Sequence, residues 1–473
     1  MSELLEILSK LVAYRTFLSD DPEPEHDKKA TLTPDHNFAI PKDHFACAKF
    51  IANQIGAAGL ATEFLVFDGF PMVLGWHQPN KNSPLVCMLS HFDVVPADAE
   101  WEEAFSLAIT EDKELGTVAV GRGVSDMKGP LSAVLTALPH IANIPHGNFC
   151  LAFTGDEEIG GKRGTGRLLS EVFLRRQMMP KYVITGDAQG EEVINVRRNS
   201  FLVRAKLPRT RKVVKGRKVF LRFETRVKSS QTSHAAYFRK EVDKHAVYEA
   251  GDYVANPSAS GIQIASFSGT WVKSNVLPTR VAIEAVEVSS VEEMDFEIEE
   301  SLTRVLKVIP RLQAVALPDG KSSLGTNITP NVFRFSEDHF EILIDLRAMA
   351  HASEKDRIGD LVTGILDQSG YQSEVLVSGS AGPIYTPEDS VLVQAAKKAW
   401  LSVTGSQTRT AERAGATDGR FFSHLGIDCI DFGGRGFKVH GTGETAVVSS
   451  LENLAKFYPM LLRSLGTLKA AGQ

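Results

Sequence analysis

The amino-acid sequence predicts an α/β fold: a mostly parallel sheet flanked by helices, with an α+β domain inserted into it. Three observations carry that reading. Between about residues 80 and 190, short apolar runs alternate with longer helical patterns in the order SPLVCML, GPLSAVLTALPHIA, NFCLAFT, GRLLSEVFLRRQ and KYVIT, the alternation that builds parallel sheets. The pattern returns near the C-terminus in DSVLVQAAKKAWLSV, GIDCIDF and SSLENLAKFYPMLLRSL. Between roughly 195 and 384 the chain changes to extended segments rich in β-branched residues, such as RVAIEAVEV and HFEILIDLRA. At 473 residues the chain exceeds one typical hydrophobic core. The expected division is therefore one domain from 1–194 and 385–473, with 195–384 inserted.

The elements follow in order. The opening MSELLEILSKLVAYRTF places Leu4, Leu5, Ile7, Leu8, Leu11 and Val12 between charged residues, an amphipathic helix and not a signal peptide. In the insert, two helical stretches are expected to start at capping pairs, Ser290 with Glu293 and Ser353 with Asp356, the second stopping at Gly370. A third pair, Ser449 with Glu452, is expected to cap the closing helix.

Composition bounds the function. Apolar residues make up 43%, charged residues 23%, and the net charge is −6, an ordinary globular profile that points to no nucleic acid. No run approaches the roughly 18 apolar residues of a membrane span, so a soluble, cytoplasmic protein with no membrane partner is expected. Cys47, Cys87, Cys150 and Cys429 show no CxxC spacing and read as free thiols, neither bridged nor metal-binding. The basic run Arg204 to Lys218 lacks the interleaved aromatics of a base-stacking surface and reads as a solvated loop or edge strand.

The chemistry lies at strand ends. SPLVCML runs into His91 and Asp93, NFCLAFT into Glu157 and Glu158, KYVIT into Asp187, and GIDCIDF into a glycine-rich loop ending at His440. In open α/β sheets ligands bind outside the carboxyl ends of the strands. Asp126 adds a further carboxylate in GRGVSDMKGP, among glycines that allow close backbone approach. Two histidines and three carboxylates without cysteine suit zinc, manganese or cobalt, and one carboxylate too many for a single ion suggests a pair.

Taken in order, SHFDVVP, GRGVSDMKGP, TGDEEIGG, VITGDA, GATDGRFF and VHGTGE resemble the motifs of the dinuclear zinc peptidases that include carnosinase, the PepV-type dipeptidases, aminoacylase and succinyl-diaminopimelate desuccinylase. The resemblance implies a catalytic domain with an inserted lid and two divalent ions, zinc first, with manganese or cobalt as alternatives. Asp126 would bridge the ions, His91 and Asp187 completing one and Glu158 and His440 the other. Glu157 would be the general base, facing substrate while Glu158 reaches metal, and Asp93 would orient His91. His234 of TSHAAY resembles the lid histidine that helps hold the developing oxyanion. Arg347 of IDLRA resembles the arginine that grips the substrate carboxylate. Asn327 resembles the family's turn asparagine, with Asn275 of SNVLP competing for that place. Gly415 and Thr417 fall in the substrate-pocket loop, where relatives often have Ser before the Asp, so Thr417 would supply any hydroxyl contact. The final motif reads HGTGE where relatives commonly carry Asn before the Glu.

Within the resembled family, an aspartate at the position of Asp187 and an insert of about 190 residues favour a dipeptidase. An N-acyl-amino-acid deacylase or desuccinylase is the alternative enzyme, and a catalytically inactive binding protein the alternative of another class. The partner is then a small dipeptide or acyl-amino acid, and the chain a monomer or homodimer.

Overall fold

The computed structural model describes residues 2–18, 31–33, 36–79, 83–228, 234–259, 261–289, 294–317, 321–379 and 381–467. The chain divides into two compact units: Met1–Val196 with Ile384–Arg413 and Thr417–Gln473, and Arg197–Pro383 with Ala414–Ala416.

The first unit is built on one large sheet. Its centre is four parallel strands in the spatial order Asp428–Asp431, Tyr182–Thr185, Leu85–His91 and Asn148–Thr154. Antiparallel strands extend it, Phe70–His77 and Ala61–Phe67 on one side and Val193–Arg197 on the other. Every residue of Leu85–His91, Asn148–Thr154 and Tyr182–Thr185 is buried. Strands covered on both faces need unbroken apolar runs, which explains why these segments show no alternation. Helices Glu3–Ala13, Lys128–Ala142, Val391–Thr404 and Val448–Gly466 contribute to the same core. The opening helix buries Leu4, Ile7, Leu8, Leu11 and Val12, the stripe its spacing predicts. The GRLLSEVFLRRQ helix is a single turn, Thr165–Arg167, that widens to a π-helix over Leu168–Leu174.

The second unit holds two four-stranded antiparallel sheets. One runs Asn327–Phe335, His339–Ala348, Asn199–Pro208, Glu374–Gly379; the other Ile262–Gly269, Arg280–Val288, Arg211–Glu224, Asp295–Glu299. Helices Ala246–Ala255, Glu300–Val308 and Lys355–Leu366 share its core.

Three capping expectations are corrected. Ser290 and Glu293 lie outside the described residues, but Asp295–Glu299 is a strand and the helix begins only at Glu300. The helix at Lys355 is introduced by a short 3₁₀ turn whose capping box is His351 with Glu354, not Ser353 with Asp356. It does end at a left-handed Gly370. The closing helix starts at Val448 directly from strand Thr445–Val447, with no side-chain cap; Ser449 falls inside its first turn, too late to cap it.

All four cysteines are free and buried. The basic run spans two strands, and carboxylates of the unit itself neutralise much of it: Arg209 and Arg211 meet Glu299, Arg217 meets Glu287 at 2.8 Å, and Lys218 meets Glu284. Among the described residues no helix is long and apolar enough to cross a membrane.

Candidate metal centre

The carboxyl ends of the parallel strands supply the site. Leu85–His91 ends in His91, Tyr182–Thr185 is followed by Asp187, and Asn148–Thr154 leads into the 3₁₀ turn Glu157–Ile159. Two loops complete it, one placing Asp126 before helix Lys128–Ala142 and one carrying His440. The two oxygens of Asp126 face different imidazoles: Oδ1 lies 3.1 Å from His91 Nε2 and Oδ2 lies 3.2 Å from His440 Nε2. Glu158 Oε2 is 3.2 Å from His440 Nε2, and Asp187 Oδ2 is 3.9 Å from His91 Nε2.

Ligand atoms gather in two groups, His91 with Glu157 and Asp187, and Asp126 with Glu158 and His440, each within 4.8 Å of one another. The neighbouring glutamates fall in different groups, Glu157 beside His91 and Asp187 and Glu158 beside Asp126 and His440. Asp93 explains how the turn is held. Its Oδ1 and Oδ2 accept the backbone N–H of Glu157 and Glu158 at 3.2 and 3.0 Å, while Oδ1 lies 3.4 Å from His91 Nδ1. One buried residue thus orients both glutamates through its carboxylate and His91 through its backbone carbonyl, 3.1 Å from Nδ1, with Oδ1 beside it.

The electrostatics show a site crowded with negative charge. Burial works to raise the Asp126 carboxyl, yet hydrogen bonds from His440 and His91 outweigh it and hold that group far below its usual range. Burial and the charge of Asp187 push Glu157 well up, and burial with Asp418 and Asp93 pushes Asp156 up to about 8. Nitrogen and carboxylate donors in two clusters, with Asp126 of the second reaching His91 of the first through Oδ1 at 3.1 Å, fit a pair of divalent ions. Glu158 Oε1 supports the fit, being buried without a hydrogen-bond partner, a state that is costly for a charged oxygen unless a cation meets it.

Some residues escaped sequence reasoning. Glu444 accepts the N–H groups of Gly123, Ser125 and Asp126 and pairs with Arg122. Arg420 lies 3.6 Å from Glu157 Oε1 and 3.9 Å from Asp418 Oδ1, and donates to the Gly160 carbonyl at 2.8 Å. The only sequence signal for Arg420 was a pair of opposite charges, Asp418 and Arg420, inside GATDGRFF. The reading of Thr417 is revised: it is buried and its hydroxyl donates to Asp431 at 3.0 Å, so its hydrogen braces the loop.

Within the second unit, His234, Asn327 and Asn275 converge. Asn275 Nδ2 is 3.4 Å from His234 Nε2, and Asn327 Nδ2 donates to the Ala235 carbonyl at 2.7 Å, so both candidate asparagines support the same histidine segment. Arg198 adds to it, donating to the Ala236 and Gly325 carbonyls. Arg347 sits opposite Asn327 in the sheet. Its Nε and Nη2 are both engaged by Asp345 at 2.9 Å, which fixes the guanidinium. The Gly415 carbonyl accepts from Arg197 at 3.0 Å.

Comparison with known proteins gives a consistent picture. The chain is 24% identical over 447 residues to a succinyl-diaminopimelate desuccinylase of Nitrosomonas europaea, covering 92% of this chain and 96% of that one. A desuccinylase of Psychrobacter arcticus is 27% identical, with 89% of each covered. Among solved structures, the aminoacylhistidine dipeptidase of Vibrio alginolyticus matches with a TM-score of 0.67 at 14% identity, over 97% of this chain and 96% of that one. Human carnosine dipeptidase 1 matches with a TM-score of 0.56 at 13% identity, over 98% and 97%. The model of peptidase family M20/M25/M40 matches residues 87–464, a span that takes in every strand end described above, and the chain belongs to that family of metal-dependent hydrolases.

Proposed function

We propose that this chain is a dipeptidase, cleaving the amide bond of a substrate with a free amino group. The observation that supports this best is Asp187, two residues past strand Tyr182–Thr185, where dipeptidases of the resembled family tend to carry aspartate and desuccinylases glutamate.

In this reading Asp126 would help hold two ions, one with His91 and Asp187 and the other with Glu158 and His440. Bound there, a divalent pair would supply an acidified water and a polarised scissile carbonyl. Glu157 takes the proton from the attacking water and delivers it to the leaving amine. Asp93 keeps the ring of His91 turned so that Nε2 faces Asp126. For residues of the second unit, the resemblance gives His234 the developing oxyanion and Arg347 the substrate carboxylate.

A desuccinylase is the second reading, favoured by the names of the matched relatives. The test is release of free amino acids from a panel of dipeptides, including β-alanyl-histidine, beside N-acetyl and N-succinyl amino acids. Metal-stripped protein would be assayed after restoring zinc, manganese or cobalt, with Glu157→Ala as control. Metal-dependent cleavage of free-amine dipeptides, lost in the variant, is the expected result. Activity confined to the acylated compounds would establish the second reading, and no metal-dependent hydrolysis would sink both.

A further inference from the structure

Two loops carry Asp126 and His440, and a buried ion pair ties them together without belonging to either ligand group. Arg122 Nη1 meets Glu444 Oε2 at 2.8 Å, and both side chains are 1% exposed. Glu444 then gathers the loop before Asp126: Oε2 accepts from Gly123 N at 2.9 Å, and Oε1 accepts from Ser125 N at 2.9 Å and Asp126 N at 3.0 Å. Arg122 reaches the other loop, donating through Nη2 to the His440 carbonyl at 3.3 Å, and its guanidinium lies 5.2 Å from the Trp101 ring centre. His440 itself has φ 63°, a left-handed conformation that a non-glycine residue holds only when its surroundings impose it. A buried ion pair is a weak source of net stability. What this one does is fix the backbone of two ligands whose side chains face each other, Asp126 Oδ2 lying 3.2 Å from His440 Nε2.

We propose that Glu444, acting with Arg122, is a positioning residue for the metal pair: it sets the placement of Asp126 and His440 and thereby the affinity of the site. This rests on the two-metal reading above. A carboxylate is required because three N–H groups and a guanidinium converge on two oxygens, and an amide in its place would turn a donor toward donors.

The test is calorimetric titration of the metal-stripped full-length chain with Zn2+, alongside thermal unfolding with and without the ion. Wild type is expected to bind two ions. Glu444→Gln should weaken at least one of them by about 10–100-fold and shrink the metal-induced rise in Tm. Leu465→Ala, a core change outside both loops, should lower Tm equally with and without metal and leave affinity intact. If Glu444→Gln behaves like Leu465→Ala, Glu444 is only a brace and the proposal is wrong. Should that variant not fold, Arg122→Lys carries the same expectation, and unchanged zinc affinity there overturns it equally. A wild-type chain that takes up no ion would remove the two-metal reading, and this inference with it.

Discussion

At the scale of single residues, buried polar groups in this protein do two kinds of work. Around the site, Asp93 and Glu444 spend their oxygens on backbone N–H groups of ligand-bearing segments, so side chains outside the ligand groups decide where the ligands stand. Elsewhere the work is structural. His245 is buried, caps helix Ala246–Ala255 by accepting from Val247 N through Nδ1, and gives its Nε2 hydrogen to Asn331 Oδ1 at 2.9 Å. Phe238 and Tyr248 pack on its ring. Burial lowers its pKa to about 4, with the Asn331 contact opposing. The neutral ring is thus the folded form, and below the unfolded value of about 6.5 the unfolded chain binds the extra proton. Stability from this residue is complete above pH 6.5 and falls as pH drops toward 4, by about 3 kcal/mol in full. Denaturant unfolding of the second unit between pH 7 and 4 should show that slope, and His245→Asn, which keeps a capping oxygen, should lose most of it. An unchanged slope in the variant would assign the pH dependence to other groups.

At the scale of elements, the parallel strands act as delivery rods whose ends must lie close together. Gly433, just after strand Asp428–Asp431, shows how close: a Cβ there would fall 1.8 Å from the Ala188 carbonyl oxygen and 2.6 Å from that of Gly186, the two residues flanking Asp187. The neighbouring loop is stitched to the same place by Glu191 N to Gly433 O at 3.2 Å and Gly190 N to Gly434 O at 3.1 Å. Gly433→Ala should therefore force the loops apart, costing about 1–3 kcal/mol, and should weaken zinc binding measured by titration. Full stability and affinity in that variant would mean that the loops separate freely and that Asp187 does not depend on them. The strands themselves were legible because fully buried parallel strands are written as short unbroken apolar runs, as in Leu85–His91. Helix starts were not. The capping readings relied on local pairs of Ser with Glu or Asp, whereas the helix at Lys355 continues a 3₁₀ turn capped by His351, and the one at Val448 grew straight out of a strand.

At the scale of the whole molecule, two cores hold two units. The first collects the opening helix, the parallel strands and the closing helices, and the second the two antiparallel sheets with their helices. Every proposed metal ligand belongs to the first unit. Metal should therefore stabilise the first unit selectively: at about 100 times Kd, each independent ion adds roughly 2.7 kcal/mol. Scanning calorimetry with and without zinc should move the transition of that unit and leave the other in place. Equal movement of both would show that the units unfold together, and no movement of either would argue against a metal centre. The basic run likewise found its explanation only at this scale, in carboxylates from strands about seventy or more positions away, such as Glu287 facing Arg217.

The sequence by itself determined the strand-end placement of His91, Glu157, Glu158 and Asp187, because each follows directly on an apolar run whose physics is local. It also placed Asp126 and His440 in glycine-rich loops as candidates. Only the tertiary structure decided how these residues face one another, since a contact such as Arg122 to Glu444 joins positions 322 residues apart and leaves no periodicity or spacing to detect. The same holds for the hydroxyl of Thr417, committed to Asp431, whereas the clamp of Asp345 on Arg347 is a local i, i+2 pair on one strand face. A hydrogen-bonding group shows its type in the sequence, but its partner is chosen by packing.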